Sequence, residues 1–178
     1  MTWDAVHTRG AVLRDVVDAA DRRNDGVLPR DVPGVSETFA DDFDLVTALQ
    51  LRWHTRLAGR IERALAEETG SLESAVLSAW CATAEQLPGV RRVLDDAADA
   101  PTSERLDRAL TTARNKERLL LATMAGLARG AGPAAVRVGG ELEDRARALR
   151  RPVEATRPLS VAARPAGLIG RLRARLVA

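Results

Sequence analysis

Three side chains able to do covalent or metal chemistry stand singly on three separate stretches of this chain: His54, Cys81 and Glu117. His54 sits at the centre of a seam running Thr47, Leu51, His54, Ala58, Ile61, Leu65. Cys81 lies along Leu77, Cys81 and Ala84, and Glu117 falls within the face Leu106, Leu110, Ala113, Glu117, Leu120, Met124, Leu127. If the three faces meet, an imidazole, a thiol and a carboxylate share one interior. A thiolate activated by an imidazole that a carboxylate orients is a nucleophile with its base. The same trio is a sparse ligand set for zinc. Both chemistries lack their usual support, because no Cys-x-x-Cys, His-Glu-x-x-His or Glu-x-x-His pair occurs and no Gly-rich loop is present to hold an oxyanion. A buried free cysteine packs as a small hydrophobe, and a histidine facing a glutamate across helices fixes their register. The trio therefore reads as an interior polar site of structural kind. No catalytic residue, metal or cofactor is expected.

A second candidate is "DRRNDGVLPRDV", residues 21–32, which has the look of a calcium loop. Such a loop needs oxygen ligands at its first, third and fifth places, Gly at the sixth and a bidentate Glu at the twelfth. Asp21, Asp25 and Gly26 fit, but Arg23 takes the third place and Val32 the twelfth. A cation beside the metal and no closing carboxylate leave a turn, which Asn24-Asp25-Gly26 suits by chemistry.

The third candidate is a ridge of Arg52, Arg56, Arg60 and Arg63, spaced by fours and a three along one helical face. Guanidinium groups in that row could hold phosphates, giving affinity without sequence choice. The plainer reading is a solvated face whose charge Glu62, Glu67 and Glu68 balance. Trp3, Trp53 and Trp80 are scattered over three helical segments and read as packing residues rather than a platform for bases.

The fourth candidate is the C-terminal end. Residues 149–178 hold seven arginines against Glu154 alone. Prolines at 152, 158 and 165 make a stiff linker. "AGLIGRLRARLVA" then suits a short basic helix, with Leu168, Ile169, Arg171, Leu172, Arg173, Arg175 and Leu176 as the docking residues. Such a tail fits a protein partner, a nucleic acid or, weakly, an anionic membrane surface. Charge is polarised, −5 over residues 1–44, −2 over 45–100 and +9 over 101–178. The acidic front could therefore meet the basic back within one molecule or across a homo-oligomer.

The elements that must position these groups are helices. Ala, Leu, Arg and Glu dominate, Tyr is absent, and no run alternates β-branched and aromatic residues. Helical spacing predicts helices over about 2–23, 41–68, 72–87 and 103–130, with a short turn from Ser36. Pro88-Gly89 either kinks or ends the third of these. A weaker helix over 134–151 is expected to be interrupted by Gly139-Gly140. These elements predict an all-α antiparallel bundle of four or five main helices in residues 1–151, followed by a linker and basic tail over 152–178.

The stretch "PGVSETFADDF" resembles the Gly-Val-Ser turn of the TetR family of regulators over about a dozen residues. A helix-turn-helix also needs a supporting helix before the turn, and "GVLPRDVPGV" with its two prolines makes none. The single Cys81 excludes an intramolecular disulfide and suits a reducing compartment, and no apolar stretch approaches a membrane span. The sequence thus leads to a cytoplasmic, non-enzymatic interaction module. A ligand- or metal-binding protein around the interior trio, or a nucleic-acid binder using the arginine ridge, stands as the alternative.

Overall fold

The computed structural model describes the backbone of residues 3–150 and the side chains of residues 8–150. All the regular structure in that span is helical: α1 (Trp3–Arg23), α2 (Val35–Thr38), α3 (Asp42–Glu67), α4 (Leu72–Gln86), α5 (Pro88–Asp99), α6 (Glu104–Met124) and α7 (Pro133–Arg150). None of these helices is long and apolar enough to cross a membrane.

Side-chain capping starts three of the main helices. The Asp41, Ser71 and Ser103 side chains accept from the backbone N–H groups of Asp44, Ser74 and Leu106, satisfying donors that the first helical turn leaves free. Pro88 takes the first position of α5, where its missing N–H costs nothing, so Pro88-Gly89 separates two helices rather than kinking one. The calcium-like segment is a turn, with Asn24 and Gly26 at positive φ and the Asp25 carboxylate accepting from the N–H of Val27.

Two boundaries differ from the sequence expectation. α6 stops at Met124 rather than near 130, because Gly126 adopts φ 73° and the N–H of Leu127 bonds back to the Ala122 carbonyl at 2.9 Å. That pair is the standard left-handed cap of a helix end. α7 runs unbroken through Gly139-Gly140. A Cβ at Gly139 would lie 1.8 Å from the carbonyl oxygen of Arg118, so the missing side chain lets α7 lie directly on α6. The glycine that weakens the helix on its own is what allows the helix to pack.

α6 packs on α7, α3 on α4, α1 on α5, and α4 on α7, around one core. α3 supplies its spine: Leu45, Leu49, Trp53, Leu57 and Ile61, each at 1% exposure or less and each four residues from the next. This seam shares only Ile61 with the one centred on His54. Leu51 from that expected seam is 66% exposed and His54 lies only half-buried, because the buried stripe steps by four throughout and so drifts from the expected one by one residue at Trp53 and two at Leu49. Both stripes are apolar enough in sequence, but only the second carries Trp53 inward.

Candidate functional site

The centre of the core is polar. Glu117, 3% exposed on α6, receives the indole N–H of Trp53 at 2.9 Å on one carboxylate oxygen and that of Trp80 at 3.0 Å on the other. The two indoles meet edge to face, with ring centroids 5.8 Å apart. Arg91, buried on α5, lies 3.7 Å from Glu117 and 4.8 Å over the Trp53 ring, so the carboxylate and the indole face both stabilise its charge.

From Arg91 an alternating chain of charges extends outward. Arg91 pairs with Asp95 at 2.9 Å, and Asp95 receives a bidentate pair of bonds from Arg147 at 2.8 and 2.9 Å. Arg147 also bonds Glu143, and Glu143 receives the Arg118 Nε–H at 2.9 Å. Arg147 further lies over the ring of Trp80. Three arginines and three carboxylates thus join α5, α6 and α7, and through the two indoles reach α3 and α4. Burial would raise the Asp95 and Glu143 carboxyls, but Arg147, with Arg91 beside Asp95 and Arg118 beside Glu143, holds both below the ordinary carboxylate range.

This centre has no room for a substrate. The cavity beside it, lined by Gln50, Arg91, Leu94, Arg114, Glu117 and Glu143 among others, has a volume of about 10 Å³, enough for a single water. The Nε of Arg91 is the one buried side-chain polar atom without a hydrogen-bond partner among the described residues. A cavity of that size beside an orphaned donor suits a bridging water, not a ligand.

Of the interior trio, Glu117 therefore serves the two tryptophans and Arg91. Cys81 faces α7, where its thiol donates to the Ala146 carbonyl at 3.5 Å, and burial pushes the thiol upward, away from the reactive thiolate. His54 has no hydrogen bond or ion pair among the described residues, so none joins it to Cys81 or Glu117. No group of three or more His, Cys, Asp and Glu able to hold a metal occurs among the described residues. The partners that sequence reasoning missed were nevertheless marked in the sequence. Arg91/Asp95 and Glu143/Arg147 are opposite charges four apart, set beside the apolar positions Val90, Leu94, Leu142 and Ala146.

The arginine ridge has a different character. Arg52, Arg56, Arg60 and Arg63 line one groove with Thr55, Gly59 and Gln86, open to solvent and about 290 Å³ in volume. Arg60 donates to the side-chain oxygen of Gln86 at 2.7 Å, which ties the groove to the end of α4. None of the four forms an ion pair with a described residue. Glu62, Glu67 and Glu68 do not neutralise them; the Glu68 carboxylate instead accepts from the N–H of Gly70. Gly59 forms the floor, and a Cβ there would have nothing within 4 Å. Arginines four apart on one helix repel each other by a few tenths of a kcal/mol per pair, so this arrangement costs the isolated helix stability and offers a ready cradle for an anion.

The tail residues Leu168, Ile169, Arg171, Leu172, Arg173, Arg175 and Leu176 lie outside the described residues. Compared with known protein families, curated proteins and solved structures, the chain has no significant match.

Proposed function

We propose that this protein is a cytoplasmic, non-enzymatic interaction module: an antiparallel helical bundle that docks an anionic macromolecular partner. The α3 groove is the main contact, and the basic tail over 152–178 is an accessory one. One observation carries the reading. Four arginines line a groove of about 290 Å³ with no ion pair to any described residue, while Arg91, Arg118 and Arg147 at the polar centre are each paired with carboxylates. A contiguous row of unpaired guanidinium groups is available to an outside anion. The interior polar centre supports the same reading from the other side, since its groups are engaged with one another and its cavity admits nothing larger than water.

Heparin is a suitable generic polyanion for the test. Gly59→Glu would set a carboxylate between Arg56 and Arg63, three and four residues away, in space that is open. The full-length variant should bind heparin at least tenfold more weakly by titration calorimetry while melting no lower than the parent. Unchanged affinity would refute the groove as the docking surface. A loss seen only on deleting residues 152–178 would transfer the role to the tail.

A further inference from the structure

We infer that the occupant of the α3 groove is a nucleic-acid strand, held by its phosphodiester backbone without regard to base sequence. The inference rests on the docking reading and names its partner. Three features select a phosphate backbone over an acidic protein.

Spacing is the first. Arg52, Arg56 and Arg60 are four residues apart, about 6 Å of helix each, and Arg63 follows about 4.5 Å further on. The row of four therefore spans about 16 Å of axis. A B-form strand presents a phosphate every ~3.4 Å of its axis, and an unstacked strand advances further, so successive phosphates of a single strand can serve successive arginines. Arginine's planar fork bonds each phosphate through two N–H groups at once.

The second is the lack of an anchor. Protein interfaces draw most of their affinity from a few aromatic or aliphatic side chains seated in pockets. The groove is lined by Arg52, Arg56, Arg60 and Arg63 with Thr55, Gly59 and Gln86, and contains no apolar side chain larger than the arginine stems. Contact made almost wholly of guanidinium groups is the pattern of backbone binding. The same lining explains why base identity goes unread. No aromatic ring lines the groove, and Trp53 and Trp80 are at most 1% exposed, so no ring is placed there to stack a base.

Charge outside the groove is the third. Residues 1–150 carry 21 Lys and Arg against 24 Asp and Glu, a net −3. The rest of the body repels a polyanion, which confines the footprint to the groove and suits one strand better than a duplex lying across a wide surface. The body's share of the salt dependence is then small, three to four phosphates at ~0.7 per phosphate for a single strand.

The test uses the full chain, a fluorescein-labelled oligouridine and a mixed-sequence single-stranded DNA, with anisotropy titrations from 50 to 200 mM salt. Heparin is titrated in parallel. Arg56→Gln/Arg60→Gln should weaken both oligonucleotides alike, about tenfold at the lowest salt, and make the slope of log K against log salt shallower by about 1.4, two contacts at ~0.7 each. An unchanged slope, a wild type that binds neither oligonucleotide, or a loss on only one of the two sequences would overturn the inference. If heparin binding falls in the double variant while oligonucleotide binding does not, the strand proposal fails and the docking reading stands. If neither falls, both fail.

Discussion

Glu117 shows why a single polar residue can be the least replaceable in a helical core. Its two oxygens accept from two indoles, and its charge faces Arg91 at 3.7 Å. An amide in its place keeps one acceptor, turns an N–H₂ donor toward an indole N–H, and leaves the Arg91 charge short of a partner. Breaking a buried pair from one side costs about 3–5 kcal/mol. Glu117→Gln should therefore lower the stability of the protein by about 3 kcal/mol in urea denaturation. Adding Trp80→Phe removes one of the two donors, so the double variant should be less destabilised than the sum of the two single variants. Strict additivity would mean that the carboxylate and Trp80 are not coupled, contrary to the 3.0 Å bond.

Between helices, the decisive contact is made by an atom that is missing. Gly139 and Gly140 are neighbours on α7, yet a Cβ at the first would meet the Arg118 carbonyl at 1.8 Å, whereas at the second it would lie 3.5 Å from the Arg118 guanidinium, an ordinary contact. Alanine is favoured over glycine inside a helix by about 1 kcal/mol, while forcing a methyl into packed backbone costs 1–3 kcal/mol or more. Gly140→Ala should thus leave the urea midpoint unchanged or raise it, and Gly139→Ala should lower it. Equal effects at the two positions would contradict the close crossing of α6 and α7. This pair also marks what the sequence can and cannot disclose. The helices themselves were legible, because caps such as Asp41, Ser71 and Ser103 and the four-residue apolar steps act within one element. Which of two apolar stripes on α3 turns inward was not, since Leu51 and Leu49 are alike until Trp53 finds Glu117 across 64 residues. The arginine groove was readable as a ridge. Its lack of counter-charges depends on where Glu62, Glu67 and Glu68 point, and only the folded chain decides that.

At the scale of the whole molecule, two sets of described arginines should differ in their response to salt: Arg91, Arg118 and Arg147, paired with carboxylates at the polar centre, and the unpaired row on α3. Those of the interior hold Asp95 and Glu143 below their ordinary carboxylate values against the opposing effect of burial, and Arg9 does the same for Asp44 through its hydrogen bonds. A carboxyl whose folded value is depressed contributes stability that is present above the unfolded value, about 4, and is lost as pH falls toward the folded one. Asp21 runs the other way: burial raises its carboxyl despite bonds from the N–H groups of Gly89 and Val90, so acid relieves a cost there. Asp31 is likewise held down, by its hydrogen bonds from Arg23, so four depressed groups stand against one raised group and the melting temperature should fall between pH 6 and pH 3. Asp95→Asn should melt lower than the parent at pH 7, yet lose less on acidification, because one of the groups that must take up a proton is gone. Added salt should lower either melt only modestly, since the pairs around Asp95 and Glu143 are partly shielded and so partly screened, while the same salt should strongly weaken whatever anion occupies the α3 groove. Melts that shift with salt as steeply as binding does would mean that the interior charges are open to solvent, and that the separation of structural from docking arginines is wrong.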